Sequence, residues 1–228
     1  MTELILAVDT THEFGSLALL RGQAGTVDVI EEMPIHSPEG FGHILFPHLS
    51  ELLARHGVKP ADVECFAAAS GPGSFTGVRI GLAAIKGLAE ASARPAVAVS
   101  NLAAMATFGS APLRAVVLDA RRGDVYGAVY DACGAAVAPE TVMPFAAWLA
   151  SLPAGDFEFI ATDFAPFAPA LTGTRFAQMW VTTAPRALAA AVGHIAYQRW
   201  QAGQASDPAA LDANYVRRSD AELHWKES

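Results

Sequence analysis

Ser70-Gly71-Pro72-Gly73-Ser74-Phe75-Thr76-Gly77-Val78-Arg79-Ile80-Gly81 places four glycines and a proline between an apolar run, Val63 to Ala69, and a helical pattern from Val78 to Ala93. The order is a strand, a tight loop and a helix start. A helix start exposes unpaired N–H groups and a positive dipole end, so phosphate is the first ligand to test against it. The known phosphate motifs do not fit. A Walker A loop needs a lysine after its last glycine, and Val78 follows Gly77. A nucleophile elbow needs a residue between glycine and serine, whereas Gly73 and Ser74 are adjacent. A dinucleotide loop would follow the first strand, and this one follows a late strand.

The helix beyond the loop is more telling. Gly77, Gly81, Ala84 and Leu88 share one face at spacings of three and four, with Gly87 beside them. Each glycine costs about 1 kcal/mol relative to alanine in a helix interior, so close backbone approach should offset it. Periodicity leaves two neighbours open: the protein's own sheet, or a helix of another chain.

Before this segment, Leu4 to Val8, Gly15 to Leu20 and Thr26 to Ile30 read as an antiparallel meander. Ser37-Pro38 then suits a helix start that runs to Gly57, with Pro47 expected to kink it. Pro95 to Ser100 reads as a strand and Asn101 to Phe108 as a short helix. Turn residues cluster at Gly109-Ser110-Ala111-Pro112, which predicts a boundary between lobes at 1–109 and 110–228, with the terminal segment of the second lobe free to pack back on the first. Beyond it the pattern restarts: Ala115 to Leu118 ends in Asp119 as Leu4 to Val8 ends in Asp9, and Val125 to Tyr130 returns. Two halves that each open on an aspartate-bearing hairpin predict an α/β, actin-like two-lobed fold, each lobe a mixed sheet flanked by helices. Phe157 to Ala161 is the one strand candidate in 135–185; Pro185 to Gln201 reads as a helix and Ser206 to Ala213 as a short helical turn.

Composition narrows the function. The chain has 228 residues, 52% of them hydrophobic, enough for a sizeable core. Its net charge of −8 disfavours independent nucleic-acid binding, and Arg121-Arg122 and Arg217-Arg218 read as solvated pairs. Cys65 and Cys133 form no CxxC, which suits a reducing, cytoplasmic setting. The first residues lack the basic region of a signal peptide, and no apolar run is long enough to span a membrane. His36, His43, His48 and His56 have no metal-ligand spacing, and His12-Glu13 lacks the second histidine of a zinc peptidase.

Five segments carry a likeness: Ile5-Leu6-Ala7-Val8-Asp9-Thr10-Thr11; the glycine segment with its helix; Ser100-Asn101-Leu102-Ala103-Ala104-Met105-Ala106; Leu118-Asp119-Ala120-Arg121-Arg122-Gly123-Asp124-Val125-Tyr126; and Asn214-Tyr215-Val216-Arg217. In this order they resemble the TsaB (YeaZ) family, actin-like partner subunits in the synthesis of threonylcarbamoyladenosine in tRNA. The resemblance implies a non-catalytic scaffold, not a peptidase despite the older glycoprotease name. Its implied partners are a TsaD-type transferase, which holds metal, adenylate and tRNA, and a TsaE-type ATPase. The implied docking surface is formed by the two helices, through Ile44, Leu45, Phe75, Gly77, Val78, Ile80, Gly81, Ala84, Ile85 and Leu88, and can also serve a homodimer. On that basis Gly81→Leu should block the complex and leave the fold intact.

In an actin-like fold, Asp9, Thr10, Thr11, Asp119 and Arg121 would line a degenerate nucleotide cleft, giving weak binding of ATP or ADP with Mg²⁺ at the complex. No firm cofactor and no metal centre are expected. Where actin-like enzymes carry a glycine-rich adenosine loop, the chain reads Thr162-Asp163-Phe164-Ala165-Pro166, without glycine. Phe41-Gly42 stands where the family has a His-Ser/Thr pair, and Glu39 with His43 is too small a set for a metal. The rival function is a stand-alone actin-like ATPase or phosphotransferase that uses Asp9 and Asp119.

Overall fold

A computed structural model describes residues 3–217. Met1, Thr2, Arg218 and the rest of the C-terminal tail lie outside the described residues. The strands are β1 (Glu3–Asp9), β2 (Phe14–Gln23), β3 (Thr26–His36), β4 (Cys65–Ala69), β5 (Ala96–Val99), β6 (Leu113–Asp119), β7 (Asp124–Asp131), β8 (Ala136–Pro144), β9 (Phe157–Ala161) and β10 (Trp180–Thr183). The helices are α1 (Leu45–Arg55), α2 (Phe75–Ser92), α3 (Asn101–Ala106), α4 (Phe145–Ser151) and α5 (Ala189–Gln201).

Two five-stranded sheets form, in the orders β3-β2-β1-β4-β5 and β10-β9-β6-β7-β8. Each is built the same way. The first strand of the half, β1 or β6, lies centrally, with an antiparallel meander on one side and two parallel strands on the other. Two strands are buried at all five positions: β4 (Cys-Phe-Ala-Ala-Ala) is continuously apolar, and β9 (Phe-Glu-Phe-Ile-Ala) is apolar except for Glu158. Mixed sheets with flanking helices, repeated, are the architecture expected of an actin-like fold.

The chain divides into two compact units. The first comprises Met1–Asn101 and Arg186–Asn214; the second comprises Leu102–Pro185 and the segment from Tyr215 on. The sequence suggests a lobe 110–228 whose terminal segment packs back on the first; in the structure Arg186–Asn214, with α5, groups with the first sheet. Its first N–H groups are capped from a distance: Ala189 N donates to Ser16 Oγ at 2.9 Å and Ala190 N to Glu32 Oε1 at 2.9 Å. The α5 residue Tyr197 covers Gly22, and Leu20 covers Gly193, so closely that a Cβ on either glycine would strike a side chain.

Two local expectations change. Residues 38–44 form turns, with the Ser37 hydroxyl donating to Gly40 O at 2.6 Å. The helix begins at Leu45, so Pro47 sits in its first turn, where the missing N–H has no intrahelical acceptor, and α1 runs unbroken to Arg55. Segment 135–185 holds β8, α4 and β10 in addition to the predicted β9. Its core is aromatic: Phe145, Trp148, Phe157, Phe159, Phe164, Phe167 and Phe176 pack together, mostly in tilted or edge-on pairs.

Candidate functional site

The end of β1, the glycine loop, the start of α2 and the start of α3 converge in the first unit through a closed set of hydrogen bonds. Asp9, 1% exposed, uses Oδ1 to accept from Thr11 N at 2.9 Å and Thr11 Oγ1 at 2.6 Å. Asn101 Nδ2 donates to Thr11 Oγ1 at 2.7 Å and lies 3.5 Å from Asp9 Oδ1. The same amide's oxygen accepts from Gly71 N at 3.0 Å, and Asn101 N donates to Gly71 O at 2.8 Å. Gly71 has φ +101°, which L side chains rarely adopt, so glycine is needed for this exchange. The Thr10 hydroxyl donates to Gly77 O at 2.7 Å, and Ser74 N donates to Thr11 O at 2.6 Å. Ser74 caps α2 by accepting from Gly77 N at 3.3 Å.

These bonds occupy part of the donor set a phosphate would use. The N–H groups of Gly71, Ser74 and Gly77 already have acceptors within the chain. The hydroxyls of Thr10 and Thr11 are donated to Gly77 O and Asp9 Oδ1. One side-chain oxygen of the triplet, Asp9 Oδ2, is buried without a partner among the described residues. Mg²⁺ with nucleotide phosphates needs several convergent oxygens and free donors. One carboxylate oxygen does not supply that set. Among the described residues no group of three or more His, Cys, Asp or Glu is placed to hold a metal ion.

The remaining proposed nucleotide residues lie in the second unit. Asp119 ends β6, is exposed, and accepts from Arg121 N at 2.7 Å in a tight turn. Arg121, Arg122 and Gly123 follow one another with φ of +62°, +58° and +83°. The turn is held by Arg217, whose guanidinium donates to Ala120 O at 3.0 Å and Asp124 Oδ2 at 2.6 Å. Sequence reading had Arg217 as a solvated partner of Arg218; its own structure is that of a clamp. The segment Thr162–Pro166 directs Phe164 into the aromatic core.

Glu158 was missed in the sequence because its neighbours on β9 are all apolar. It is buried, and it accepts from Ser110 N at 2.6 Å, Ala111 N at 2.8 Å and the Thr182 hydroxyl. Burial alone would raise its pKa; the Thr182 hydroxyl, the two N–H groups and the Arg114 charge outweigh burial and hold it below the ordinary carboxylate value. Burial pushes the Cys65 thiol up to about 12, which makes it a packing residue with little thiolate character.

The two helices divide the expected docking residues between two faces. Gly77, Val78, Gly81, Ala84 and Ile85 of α2, with Leu45 of α1, are buried in the first unit's core. A Cβ on Gly77 would run into Thr10 O, and one on Gly81 would lie 2.5 Å from Thr10 Oγ1. The glycine face therefore packs on the protein's own β1, and Gly81→Leu would break the fold rather than only a complex. Ile44, Ile80 and Leu88 are partly buried against the same core, and Phe75 is 43% exposed. The outward face of α2 is a different stripe, Phe75, Arg79, Ala83 and Gly87, with the Arg79 guanidinium 3.7 Å from the Phe75 ring centroid. Gly87 has nothing within 4 Å of where its Cβ would be. Alongside, Gly42 lies 3.8 Å from Ile80 Cδ1 by its would-be Cβ, and Phe46 of α1 is 54% exposed.

Comparison with known proteins agrees with the repeated architecture. Residues 33–201 match the family model described as TsaD: tRNA N6-adenosine threonylcarbamoyltransferase. The tRNA threonylcarbamoyladenosine biosynthesis protein TsaB of Escherichia coli K12 is 37% identical over 130 residues, 55% of this chain and 54% of that protein. The TsaB of Haemophilus influenzae is similar over 51% of its length, so the chain spans about half of these two relatives. TsaB of Bacillus subtilis 168 is 30% identical over 98% of both chains. Among solved structures, YeaZ from Pseudomonas aeruginosa superposes with a TM-score of 0.77 at 25% identity, covering 93% of this chain and 99% of that one. The family model described as TsaD covers well over half of the chain, and with a TsaB relative 30% identical over 98% of both lengths the chain belongs to the TsaB (YeaZ) family.

Proposed function

We propose that this protein acts in the synthesis of threonylcarbamoyladenosine in tRNA, as a non-catalytic subunit that pairs with and activates a TsaD-type transferase. The observation that carries the reading is the outward face of α1 and α2. Phe46 and Phe75 are exposed, the small residues Ala83 and Gly87 share the outward stripe of α2 with Phe75, and a Cβ on Gly87 would meet nothing within 4 Å among the described residues. Exposed aromatic side chains next to small residues suit close helix packing against another protein. The full-length likeness to a protein named for this pathway supplies the partner class. In the same reading a TsaE-type ATPase engages the pair, a second copy of the chain occupies the face when the transferase is absent, and tRNA is held by the transferase, in keeping with a net charge of −8.

The test is Ala83→Arg and Phe46→Glu, each measured for binding to the TsaD-type subunit from the same source by calorimetry. Both positions are exposed, so circular dichroism and melting temperature should change little. Affinity should fall at least about tenfold, the cost of placing an unmatched charge in an apolar contact. Unchanged affinity in both variants would place the contact elsewhere. Mg²⁺-dependent ATP turnover by the chain alone, lost in Asp9→Asn, would instead favour an enzyme.

A further inference from the structure

Asp9, Thr10, Thr11 and Asn101 occupy the place where an actin-like fold would hold a nucleotide phosphate and its metal, yet their polar groups, Asp9 Oδ2 excepted, bond within the chain. We propose that these four residues form a bracket that sets the position and register of α2, and that they serve protein docking instead of nucleotide binding. The inference rests on the reading of α2 as a docking helix.

Three observations carry it. First, two members of the triplet reach different parts of the loop–helix junction and the third orients one of them. Thr10 holds α2 directly through Gly77 O, Thr11 holds the N-cap residue through Ser74 N, and Asp9 orients Thr11 through its N–H and hydroxyl. Second, Asn101 closes the circuit. Its side chain donates to Thr11 Oγ1 and accepts from Gly71 N, while its backbone N–H reaches Gly71 O. One amide thus ties the tip of β1 to the first glycine of the loop. Third, the glycines fit the bracket sterically. A Cβ on Gly73 would lie 2.5 Å from Thr11 O, and Gly77 and Gly81 abut Thr10. Donors and backbone contacts on both sides of α2's first turns leave it one register against β1. The outward stripe of α2 is carried by the same rigid helix, so a shift at Thr10 or Asn101 moves Phe75 and Arg79. These are positioning residues: they act on the partner through α2 and are themselves buried.

The experiment uses the full chain with Thr10→Val, Thr10→Ser and Asn101→Ala. Valine keeps the shape of threonine and removes the hydroxyl; serine restores it. Amide hydrogen exchange of the free protein reads the bracket without any partner. Exchange at Gly71, Ser74 and Gly77 should quicken about tenfold in Thr10→Val and Asn101→Ala, and return towards wild type in Thr10→Ser. Affinity for the TsaD-type subunit should weaken by a similar factor in the first two variants, with Thr10→Ser close to wild type. Titration of the wild type with MgATP should give no saturable binding at about 1 mM, the weak end of ordinary ligand affinities. Unchanged loop exchange in both disruptive variants would overturn the bracket. Saturable MgATP binding abolished by Thr10→Val would overturn it in favour of a nucleotide site. If the wild type fails to bind the transferase, the proposed function fails, and the exchange data still judge the bracket.

Discussion

Gly77, Gly81 and Gly87 look alike in the sequence and differ in kind in the structure. The first two abut Thr10, whereas the third faces open space. Gly77→Ala puts a methyl group against a carbonyl oxygen that cannot rotate away, so either β1 or α2 must move. It should destabilise the protein by roughly 2 kcal/mol or more, the range of overpacked cores. Gly87→Ala meets nothing and removes a helix-interior glycine; it should stabilise the free protein by up to about 1 kcal/mol. Thermal unfolding checks both, and about 2–4 °C per kcal/mol is expected for a chain of this size. Gly87→Ala should at the same time weaken the complex with the transferase, because the position lies on the outward stripe. A gain in both stability and affinity would remove Gly87 from the interface. Periodicity showed that small residues line one face of α2. It could not show which neighbour that face meets, because the answer lies in Thr10, some seventy residues earlier. For the same reason the sequence put Gly81 at the partner surface and left Ala83 unnoticed.

Among the elements, those with strong local signals were legible. The strand-ending aspartates and the apolar β4 were readable from their immediate surroundings, whereas the helical pattern was read from Val78 and α2 starts at Phe75, capped by Ser74. Strand β8 was not legible, since its nine residues include two prolines and none is buried. Helix α4 is only seven residues long, and β10 four, too short for a period to register. The loop before β6 depends on Glu158, which collects two backbone N–H groups and the Thr182 hydroxyl from separate elements. Because the folded protein holds this carboxyl below its ordinary value of 4.5, its ionised form contributes stability above that value. The contribution is lost as pH falls below about 4.5 towards the lowered folded pKa. Glu158→Ala leaves three donors unmatched and should cost about 2–4 kcal/mol at neutral pH. Glu158→Gln should cost less and flatten the acid limb of the stability profile. Denaturant unfolding at pH 7 and at pH 4 separates the two; an acid limb unchanged in Glu158→Gln would exclude this carboxyl as its source.

At the scale of the whole molecule, the duplicated order of strands carries two sites that have diverged. In the first half the strand-ending aspartate is buried in a bracket with Thr11 and Asn101; in the second it is exposed and closes a turn held by Arg217. The repeat was readable because both hairpins end in aspartate. Their divergence was not, since it depends on long-range partners such as Asn101 and Arg217. Helix α5 shows the same limit: its period announced a helix, but its place beside the first sheet is set by Ser16, Glu32 and the glycines under Tyr197 and Leu20. We propose that this two-sheet, actin-like fold serves as a docking subunit. The most direct measurement is co-elution of this protein with the TsaD-type subunit from the same source, followed by a threonylcarbamoyl transfer assay on each protein alone and on the pooled peak. A stable complex that modifies tRNA is expected, with this chain inactive by itself. Separate elution, or transfer activity from this chain alone, would contradict it.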